Sequence, residues 1–250
     1  MIKVDSIRKR LGGKEVLKGI SLEVKEGEAF VIIGPSGCGK SVLLKHMIGL
    51  MKPDEGRIVI NGLDITKASH EELLEIRKSM GVVFQGGALF DSLTVFENVA
   101  FPLRKLLKLS EEEIRQRVEL ALERVGLQGV ENLYPEELSG GMRKRVAFAR
   151  AVVAMPKVLF LDEPTTGLDP VTSATIDELI VNLKKGLSLT LVMVTHDMRS
   201  AFRVADKIAM LYEGVIVVQG DAKEIRESNN PFIRQFMEGS LEGPICVKLA

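Results

Sequence analysis

The chain has little of what disulfide-rich, membrane-spanning or nucleic-acid-binding proteins need. Two cysteines in 250 residues exclude a disulfide framework and favour a reducing compartment. The 34 basic and 34 acidic residues give zero formal net charge, which leaves no electrostatic footprint for nucleic acid. No apolar run approaches the roughly 18–20 residues of a membrane-spanning helix, and the N-terminus MIKVDSIRKR lacks the apolar core of a secretory signal. We therefore expect a soluble chain whose membrane role, if it has one, comes through a partner.

Apolar residues make up 46% of the chain, which is enough to form a full hydrophobic core. Helical patterns such as Val171–Lys185 and Met198–Ala205 fall between apolar strand-like runs. This alternation predicts an α/β fold with a largely parallel sheet. The predicted core strands are Ala29–Ile33, Gly81–Phe84, Lys157–Leu161, Leu189–Thr195, Ile208–Tyr212 and Val215–Gln219.

Two segments depart from that alternation. The N-terminal part predicts antiparallel strands around the turn Gly12-Gly13, and Asn61-Gly62 predicts a hairpin within Gly56–Ile65. The segment from about Thr94 to Glu137 contains no convincing strand. Its clearest helix is Ser110–Val125, which opens with an S-x-x-E capping box. We interpret this segment as a helical subdomain inserted into the α/β core.

A phosphate-binding loop is predicted at Gly34–Ser41, where GPSGCGKS fits the pattern G-x-x-x-x-G-K-[ST] between a strand and a helix. The glycines let backbone N–H groups point at a β-phosphate, and the helix N-terminus favours negative charge. Lys40 adds a full charge for the β- and γ-phosphates, and the Ser41 hydroxyl is a ligand for Mg²⁺. The expected nucleotide-binding residues are Gly34, Pro35, Ser36, Gly37, Cys38, Gly39, Lys40, Ser41 and Val42.

The run Val158–Glu163 is an apolar strand that ends in two carboxylates, the form of a Walker B motif. We expect Asp162 to hold Mg²⁺ through water. Glu163 is one residue further and so points elsewhere, toward the γ-phosphate, where it can orient and deprotonate the attacking water. General-base assistance of this kind is worth about 10²–10⁴-fold in rate.

A second anion-binding feature, LSGG at Leu138–Gly141, has no lysine of its own. Ser139 is a candidate helix N-cap, and the two glycines leave the first-turn N–H groups open to an anion. We interpret this segment as serving the nucleotide of another subunit. In a two-fold symmetric dimer, Ser139 of one chain would face the γ-phosphate held by Gly34–Ser41 of its mate, so that ATP joins the subunits. Asp169, in the turn GLDP, is expected at the same interface.

This ordered set of motifs resembles the ATPase subunit of an ABC transporter over nearly the whole chain. The resemblance implies a P-loop, RecA-like core with an N-terminal antiparallel β subdomain and an inserted helical subdomain. It also implies ATP hydrolysis coupled to transport, with ATP and Mg²⁺ as cofactors. The implied partners are a second copy of the chain and integral-membrane permease subunits, with no nucleic acid. The permease would hold the chain peripherally on the cytoplasmic side of the inner membrane.

The resemblance also gives roles to residues that carry no meaning alone. Gln85 resembles the glutamine that senses Mg²⁺ and the attacking water, and His196 resembles the histidine that contacts the γ-phosphate. Where the family stacks adenine on an aromatic, this chain has Leu11, which weakens ATP affinity or base selectivity unless Arg10 lies over the base. The implied sets are Glu163, His196 and Gln85 for catalysis, Ser41, Gln85 and Asp162 for Mg²⁺, and Ser139, Gly140 and Gly141 for the partner's ATP.

Three segments are similar to the Mla-type branch, the ATPases of phospholipid and MCE-linked transport. They are FQGGALFDSLTVFENVAFPLR (Phe84–Arg104), LSGGMRKR (Leu138–Arg145) and NPFIRQFMEGSLEGPI (Asn230–Ile245). This similarity implies a phospholipid cargo, an MCE-type substrate-binding protein and a small accessory subunit.

Leu89 and Phe90 form an apolar knuckle beside Gly86-Gly87. In ABC transporters this region receives a helix from the permease, so both residues are candidates for docking; the alternative is that they pack inside the helical subdomain. For Val99 and Phe101 we expect packing. We expect the basic run Arg143–Arg145 to be a solvated helix face rather than a phosphate site.

The expected domains are an ABC ATPase over residues 1–225, with the helical subdomain at about 86–140, and a tail over 226–250. The pattern Phe232, Ile233, Phe236 and Met237 predicts a short helix in the tail that docks on the partner protomer. Functional alternatives are the ATPase of an amino-acid or other small-solute importer and a permease-free ATPase such as an iron–sulfur assembly scaffold. The knuckle at Leu89 and Phe90 disfavours the scaffold. The absence of a long heptad run excludes a DNA-repair ATPase of the structural-maintenance type.

Overall fold

The computed structural model describes residues 2–246. Two compact units are present: one comprises the described residues up to Ser69 together with those from Val192 onward, and the other spans His70–Leu191. Among the described residues, no helix is both long and apolar enough to cross a membrane. The predicted boundaries at 86, 140 and 225 stay predictions, and residues 247–250 of the predicted tail lie outside the described residues.

An antiparallel sheet of four strands lies in the first unit. Strand β1 pairs with β2 around the Gly12-Gly13 turn and with β4 on its other side, so Ile2 lies opposite both Val24 and Ile60. Both turn glycines have positive φ, at 56° and 79°, which favours glycine over other residues. This confirms the predicted N-terminal antiparallel subdomain. The strands, in the order β2-β1-β4-β5, are β1 (Ile2–Leu11), β2 (Lys14–Val24), β4 (Glu55–Ile60) and β5 (Leu63–Asp64).

The hairpin between β4 and β5 turns at Asn61-Gly62, as predicted. Asn61 has φ of 49° and Gly62 has φ of 87°. Two consecutive positive φ values are what a two-residue hairpin turn of type I′ requires, and they explain why this dipeptide is such a strong local signal.

The second sheet carries the buried core of an α/β fold. Strands β3, β7 and β8 are buried at every position. β3 pairs in parallel with β9, β6 pairs in parallel with β7, and β10 is antiparallel to β9. The six strands, in the order β10-β9-β3-β8-β7-β6, are β3 (Ala29–Ile33), β6 (Met80–Val83), β7 (Val158–Asp162), β8 (Thr190–Thr195), β9 (Lys207–Tyr212) and β10 (Val215–Asp221).

Helices occupy the connections between these strands. The helices are α1 (Lys40–Met47), α2 (His70–Lys78), α3 (Val95–Leu106), α4 (Glu111–Arg124), α5 (Gly140–Val152), α6 (Pro170–Leu187), α7 (Met198–Val204), α8 (Ala222–Glu227) and α9 (Pro231–Glu238), with a 3₁₀ turn at Pro135–Glu137.

The helical character of residues 94–137 is confirmed, and local capping defines where its helices begin. Ser110 caps α4 by accepting from the Glu113 N–H, and Glu113 Oε2 accepts from the Ser110 N–H at 2.8 Å. Thr94 and Glu97 form the same reciprocal box at α3. A capping box is readable from four residues, which is why the start of α4 was predictable.

Helix α9 in the tail packs within the first unit of its own chain. Ile233 is fully buried, and the ring of Phe232 lies 5.5 Å from that of Tyr212. The buried Gln235 side chain accepts from the Ile245 N–H at 2.7 Å and donates to the Ile245 carbonyl at 3.0 Å. Two residues of the predicted docking pattern are thus used inside the protomer. Docking on a partner through the remaining residues stays a prediction.

Candidate functional site

The loop between β3 and α1 has a shape that its glycines make possible. Gly34, Gly37 and Gly39 all have positive φ, at 151°, 77° and 110°. A Cβ added at Gly34 would lie 2.1 Å from the Leu211 carbonyl oxygen, and one at Gly39 would lie 3.0 Å from Leu17. Glycine is therefore required at Gly34 for space as well as for conformation.

Lys40, the first residue of α1, is only 6% exposed. Its Nζ donates to the carbonyls of Gly34 at 2.8 Å and Pro35 at 3.0 Å, so the ammonium lies within the curl of the loop. Ser36 and Gly37 are exposed, and Ser41 is half-buried one residue after the lysine. The arrangement is the one that phosphate binding needs: a glycine-shaped loop, a fixed cation and a helix N-terminus.

Two further residues predicted from the sequence, Leu11 and His196, lie in the first unit, which also contains the phosphate loop. Leu11 ends β1 and is 38% exposed, which leaves it accessible to a base. The Arg10 N–H beside it donates to Asp54 Oδ2 at 2.7 Å, so Asp54 fixes the main chain there. His196 is exposed directly after β8, just before Asp197 caps α7.

In the second unit, β7 ends in the predicted pair of carboxylates. Asp162 and Glu163 are both buried. Glu163 has φ of 49°, a left-handed conformation that β7 itself does not share. Thr166 Oγ1 donates to Glu163 Oε2 at 3.1 Å. Backbone strain of this kind clusters at functional sites, and here it turns the chain between the two acids.

Gln85 is exposed after β6, and its main chain is held by helix α5. Lys144 Nζ donates to the Gln85 carbonyl. A second cation of α5, Arg150, donates to the carbonyls of Gly87 and Ala88, both at 2.7 Å. The segment that follows β6 is therefore fixed to α5 through its carbonyl groups.

The expectation that Arg143–Arg145 is a solvated helix face is wrong for two of its three residues. Arg143 is exposed, but Lys144 is buried and Arg145 donates to the Val125 carbonyl at 2.7 Å. Sequence reasoning missed Lys144 and Arg150. For Lys144 a signal was present in the helical periodicity. Residues three and seven positions further on, Ala147 and Ala151, share its helix face, and both are buried.

The knuckle after Gly87 presents an aromatic ring outward. Phe90 is 44% exposed and Leu89 is half-buried. Val99 is fully buried as expected, but the prediction that Phe101 packs inside is wrong. Phe101 is 37% exposed, and its ring lies 4.9 Å from that of Phe90.

A buried amide shapes the loop that carries Phe90. Asn98 Oδ1 accepts from the Phe90 N–H at 2.8 Å. Its Nδ2 lies 3.0 Å from each of the carbonyl oxygens of Phe90, Leu93 and Thr94. The exposed ring thus projects from a main chain with satisfied hydrogen bonds.

The LSGG segment begins α5 as predicted. Ser139 is its N-cap, with Oγ accepting from the Met142 N–H at 3.2 Å. Gly141 lies close to α6, because a Cβ there would lie 3.1 Å from the Thr172 methyl group. Ser139 and Gly140 are exposed, so the N-terminus of α5 is open to a ligand.

Asp169 is the N-cap of α6. Its carboxylate accepts from the N–H groups of Val171 at 2.9 Å and Thr172 at 3.0 Å. A hydrogen bond from the Thr172 hydroxyl, followed by that from the Thr172 N–H, holds the pKa of Asp169 below its ordinary value. Because Gly141 packs against Thr172, the starts of α5 and α6 lie side by side in this unit.

Among residues 2–246, no cluster of three or more His, Cys, Asp and Glu side chains could by itself hold a metal ion. Mg²⁺ at nucleotide sites uses one or two carboxylates together with substrate phosphates rather than an all-protein cage. The buried Asp162 carboxylate and the half-buried Ser41 hydroxyl are oxygen donors of the type that Mg²⁺ prefers. The donor chemistry therefore fits Mg²⁺ accompanied by a nucleotide.

Comparison with known proteins agrees with this chemistry. The family model "ABC transporter" matches residues 17–166. The "probable ribonucleotide transport ATP-binding protein mkl" of Mycobacterium leprae is 43% identical over 244 residues, covering 98% of this chain and 70% of that protein. The "intermembrane phospholipid transport system ATP-binding protein MlaF" of Haemophilus influenzae is 40% identical over 248 residues, covering 99% and 94%.

A solved structure gives the same answer for the fold. The dimeric post-hydrolysis state of the ATP-binding cassette MJ0796, bound to ADP and Pi, has a TM-score of 0.82 and is 35% identical, covering 89% of this chain and 99% of that one. The fold that carries the phosphate loop and the acids at the end of β7 is thus shared with an ATP-binding cassette. The chain belongs to the ABC transporter family, as an ATP-binding subunit that hydrolyses ATP in transport.

Proposed function

We propose that this ATPase drives a membrane permease that moves phospholipids, within an assembly of the MCE or Mla type. The observation that carries the cargo proposal is the likeness to a phospholipid-transport ATPase over 99% of this chain and 94% of that protein. The chain is held peripherally on the cytoplasmic side of the inner membrane through the permease. An MCE-type substrate-binding protein and a small accessory subunit complete the assembly.

The phosphate loop binds ATP, and Lys40 neutralises the β- and γ-phosphates. Ser41, Gln85 and Asp162 would hold Mg²⁺. The metal supplies charge neutralisation at the phosphates when it is bound. Glu163 takes the proton of the attacking water, and His196 contacts the γ-phosphate. The buried position of Glu163 and its hydrogen bond from Thr166 support this role, because both restrict its orientation.

A second copy of the chain completes each nucleotide site. Ser139, Gly140 and Gly141 bind the γ-phosphate of the ATP held by the partner protomer, and Asp169 lies at the same interface. The exposed N-terminus of α5, capped by Ser139 and adjacent to α6, supports this assignment. The dimeric, ADP- and Pi-bound cassette that shares this fold supports it further.

Leu89 and Phe90 dock against the permease. An exposed ring beside a second exposed ring is an unusual arrangement for a solvated loop, and it supplies an apolar anchor for a partner. Phe101, which the sequence pattern predicted to pack in the interior, extends this surface.

A second cargo has a specific observation behind it. The relative from Mycobacterium leprae, 43% identical over 98% of this chain, is named for ribonucleotide transport. A nucleotide importer would use the same ATPase cycle with a different permease. The two cargoes therefore differ in what accompanies the subunit, not in its catalytic residues.

The test uses Glu163→Gln as bait. Loss of the general base should slow hydrolysis by about 10²–10⁴-fold and leave ATP binding intact, which traps the ATP-bound dimer. The trapped subunit, with ATP and Mg²⁺, is used to recover partners from native membranes in mild detergent. We expect a multi-span permease, an MCE-type subunit and bound phospholipid.

The matched control is Glu163→Gln combined with Lys40→Ala, which removes the phosphate-binding cation and should form no ATP-dependent dimer. Recovery of a permease with a solute-binding protein would retain the transporter and reject the phospholipid cargo. Recovery of soluble proteins alone would reject the permease.

A further inference from the structure

Lys144 is a buried cation in a helix whose neighbouring cation faces solvent. It is 7% exposed, whereas Arg143 immediately before it is exposed. Burying an ammonium group is unfavourable unless it is hydrogen-bonded or paired with opposite charge. The partners of Lys144 therefore indicate what it does.

Those partners are three residues of the proposed catalytic apparatus. The Nζ donates to the Gln85 carbonyl. Burial lowers the pKa of Lys144, while the charges of Asp162 and Glu163 raise it. A single ammonium group thus binds the main chain of Gln85 and interacts electrostatically with Asp162, the last residue of β7, and with Glu163, which follows it.

The rest of this segment is held to α5 independently of Lys144. A Cβ at Gly87 would lie 3.6 Å from the Ala147 Cβ, and Arg150 binds the carbonyls of Gly87 and Ala88. Removing Lys144 leaves these contacts in place. Its loss should therefore release Gln85 and the charge near the acids without detaching the whole segment.

We propose that Lys144 is a positioning residue for ATP hydrolysis, which fixes Gln85 relative to the Asp162–Glu163 pair. The proposal rests on the catalytic roles proposed above for Gln85 and Glu163. Lys144 itself need not touch the nucleotide.

The experiment compares Lys144→Met, which removes donor and charge, with Lys144→Arg, which keeps both. Arg143→Met is the matched control, because it removes a cation from the adjacent, exposed position. Steady-state ATP hydrolysis gives kcat and KM, and ATP affinity is measured without turnover in the Glu163→Gln background.

For Lys144→Met we expect kcat to fall by about 10–100-fold, the effect typical of groups that orient metal ligands and reacting residues. ATP affinity should stay within about twofold of wild type, because the phosphate loop is unchanged. Lys144→Arg should recover most of kcat, and Arg143→Met should behave as wild type. A purely structural role would lower thermal stability and leave kcat per folded subunit unchanged.

A Lys144→Met variant with wild-type kcat would overturn the proposal, as would a Lys144→Arg variant with no recovery. If Lys144→Met does not fold, Lys144→Gln replaces it, with a donor but no charge; wild-type kcat in Lys144→Gln would overturn the contribution of the charge. Failure of the catalytic roles proposed for Gln85 and Glu163 is a different result, since Glu163→Gln would then hydrolyse ATP at the wild-type rate, and a different cargo would change none of these rates.

Discussion

The phosphate loop and the segment after β6 are both short and contain glycines, yet different interactions hold them in shape. The loop is shaped by the backbone conformations of Gly34, Gly37 and Gly39 and by close packing around them. The Gln85–Ala88 segment is held by two cations of α5 that reach its carbonyl groups. The glycine conformations of the phosphate loop can be recognised from residue order alone. The side-chain hydrogen bonds to the Gln85–Ala88 segment depend on which residues of a distant helix are buried.

The largest effect is expected from Gly34→Ala, which disrupts the backbone conformation of the phosphate loop. A Cβ would lie 2.1 Å from the Leu211 carbonyl oxygen. We expect ATP affinity to fall by more than about 100-fold, because backbone strain of about 1–3 kcal/mol adds to a main-chain clash. Isothermal titration calorimetry with ATP measures the change. Gly37→Ala is the matched control, since its φ is also positive but no heavy atom lies within 4 Å of its Cβ. Equal losses in the two variants would contradict the role of the close packing at Gly34.

A smaller effect is expected from Arg150→Met, which removes side-chain hydrogen bonds between α5 and the Gln85–Ala88 segment. The variant loses hydrogen bonds from a charged donor to the carbonyls of Gly87 and Ala88. We expect the free energy of unfolding to fall by about 1.5–3 kcal/mol, the range for hydrogen bonds to charged groups. Urea denaturation measures this, and amide hydrogen exchange should rise in residues 86–90. Unchanged exchange there, or an equal loss in the exposed-site control Arg143→Met, would show that Arg150 does not hold the segment.

The smallest effect concerns pH and the cap of α6, which packs beside α5. The pKa of Asp169 is lowered first by the hydrogen bond from the Thr172 hydroxyl. A carboxyl group whose pKa falls on folding stabilises the folded state above its unfolded pKa and loses that contribution as pH falls through the folded value. The Tm difference between wild type and Asp169→Asn should therefore be largest near neutral pH and shrink below pH 3.8, the ordinary Asp value.

Thr172→Val checks the cause of that shift, because it removes the hydroxyl donor and keeps the backbone N–H groups. The titration midpoint of the Asp169 carboxyl group, followed by NMR, should rise in this variant. A midpoint that does not move would assign the lowered pKa to the backbone of α6 alone.

The sequence was sufficient wherever the cause of a structure lies within a few residues. The phosphate loop, the Asn61-Gly62 hairpin and the capping box at Ser110 each depend on local backbone chemistry, and each is where it was predicted. The core strands were predictable to within one or two residues at each end, since continuous apolar runs mark strands that are buried on both faces.

The sequence was insufficient wherever the cause is a contact between distant residues. Lys144 was assigned to solvent because three consecutive basic residues are usually exposed; its burial depends on Gln85, which is 59 residues away. The apolar character of Phe101 predicts packing inside the helical subdomain, but its ring lies beside that of Phe90 and is 37% exposed. The left-handed conformation of Glu163 had no signal at all, because non-glycine residues rarely adopt it.

The amide of Asn98 has a consequence for how a partner would recognise Phe90. Because the loop already satisfies its polar groups through that amide, the chain loses little conformational freedom when the ring enters a pocket. Association would then draw on apolar contact without the entropic cost of ordering a flexible loop. A partner can therefore bind this surface with modest affinity and dissociate readily, and it meets the same loop conformation at each encounter.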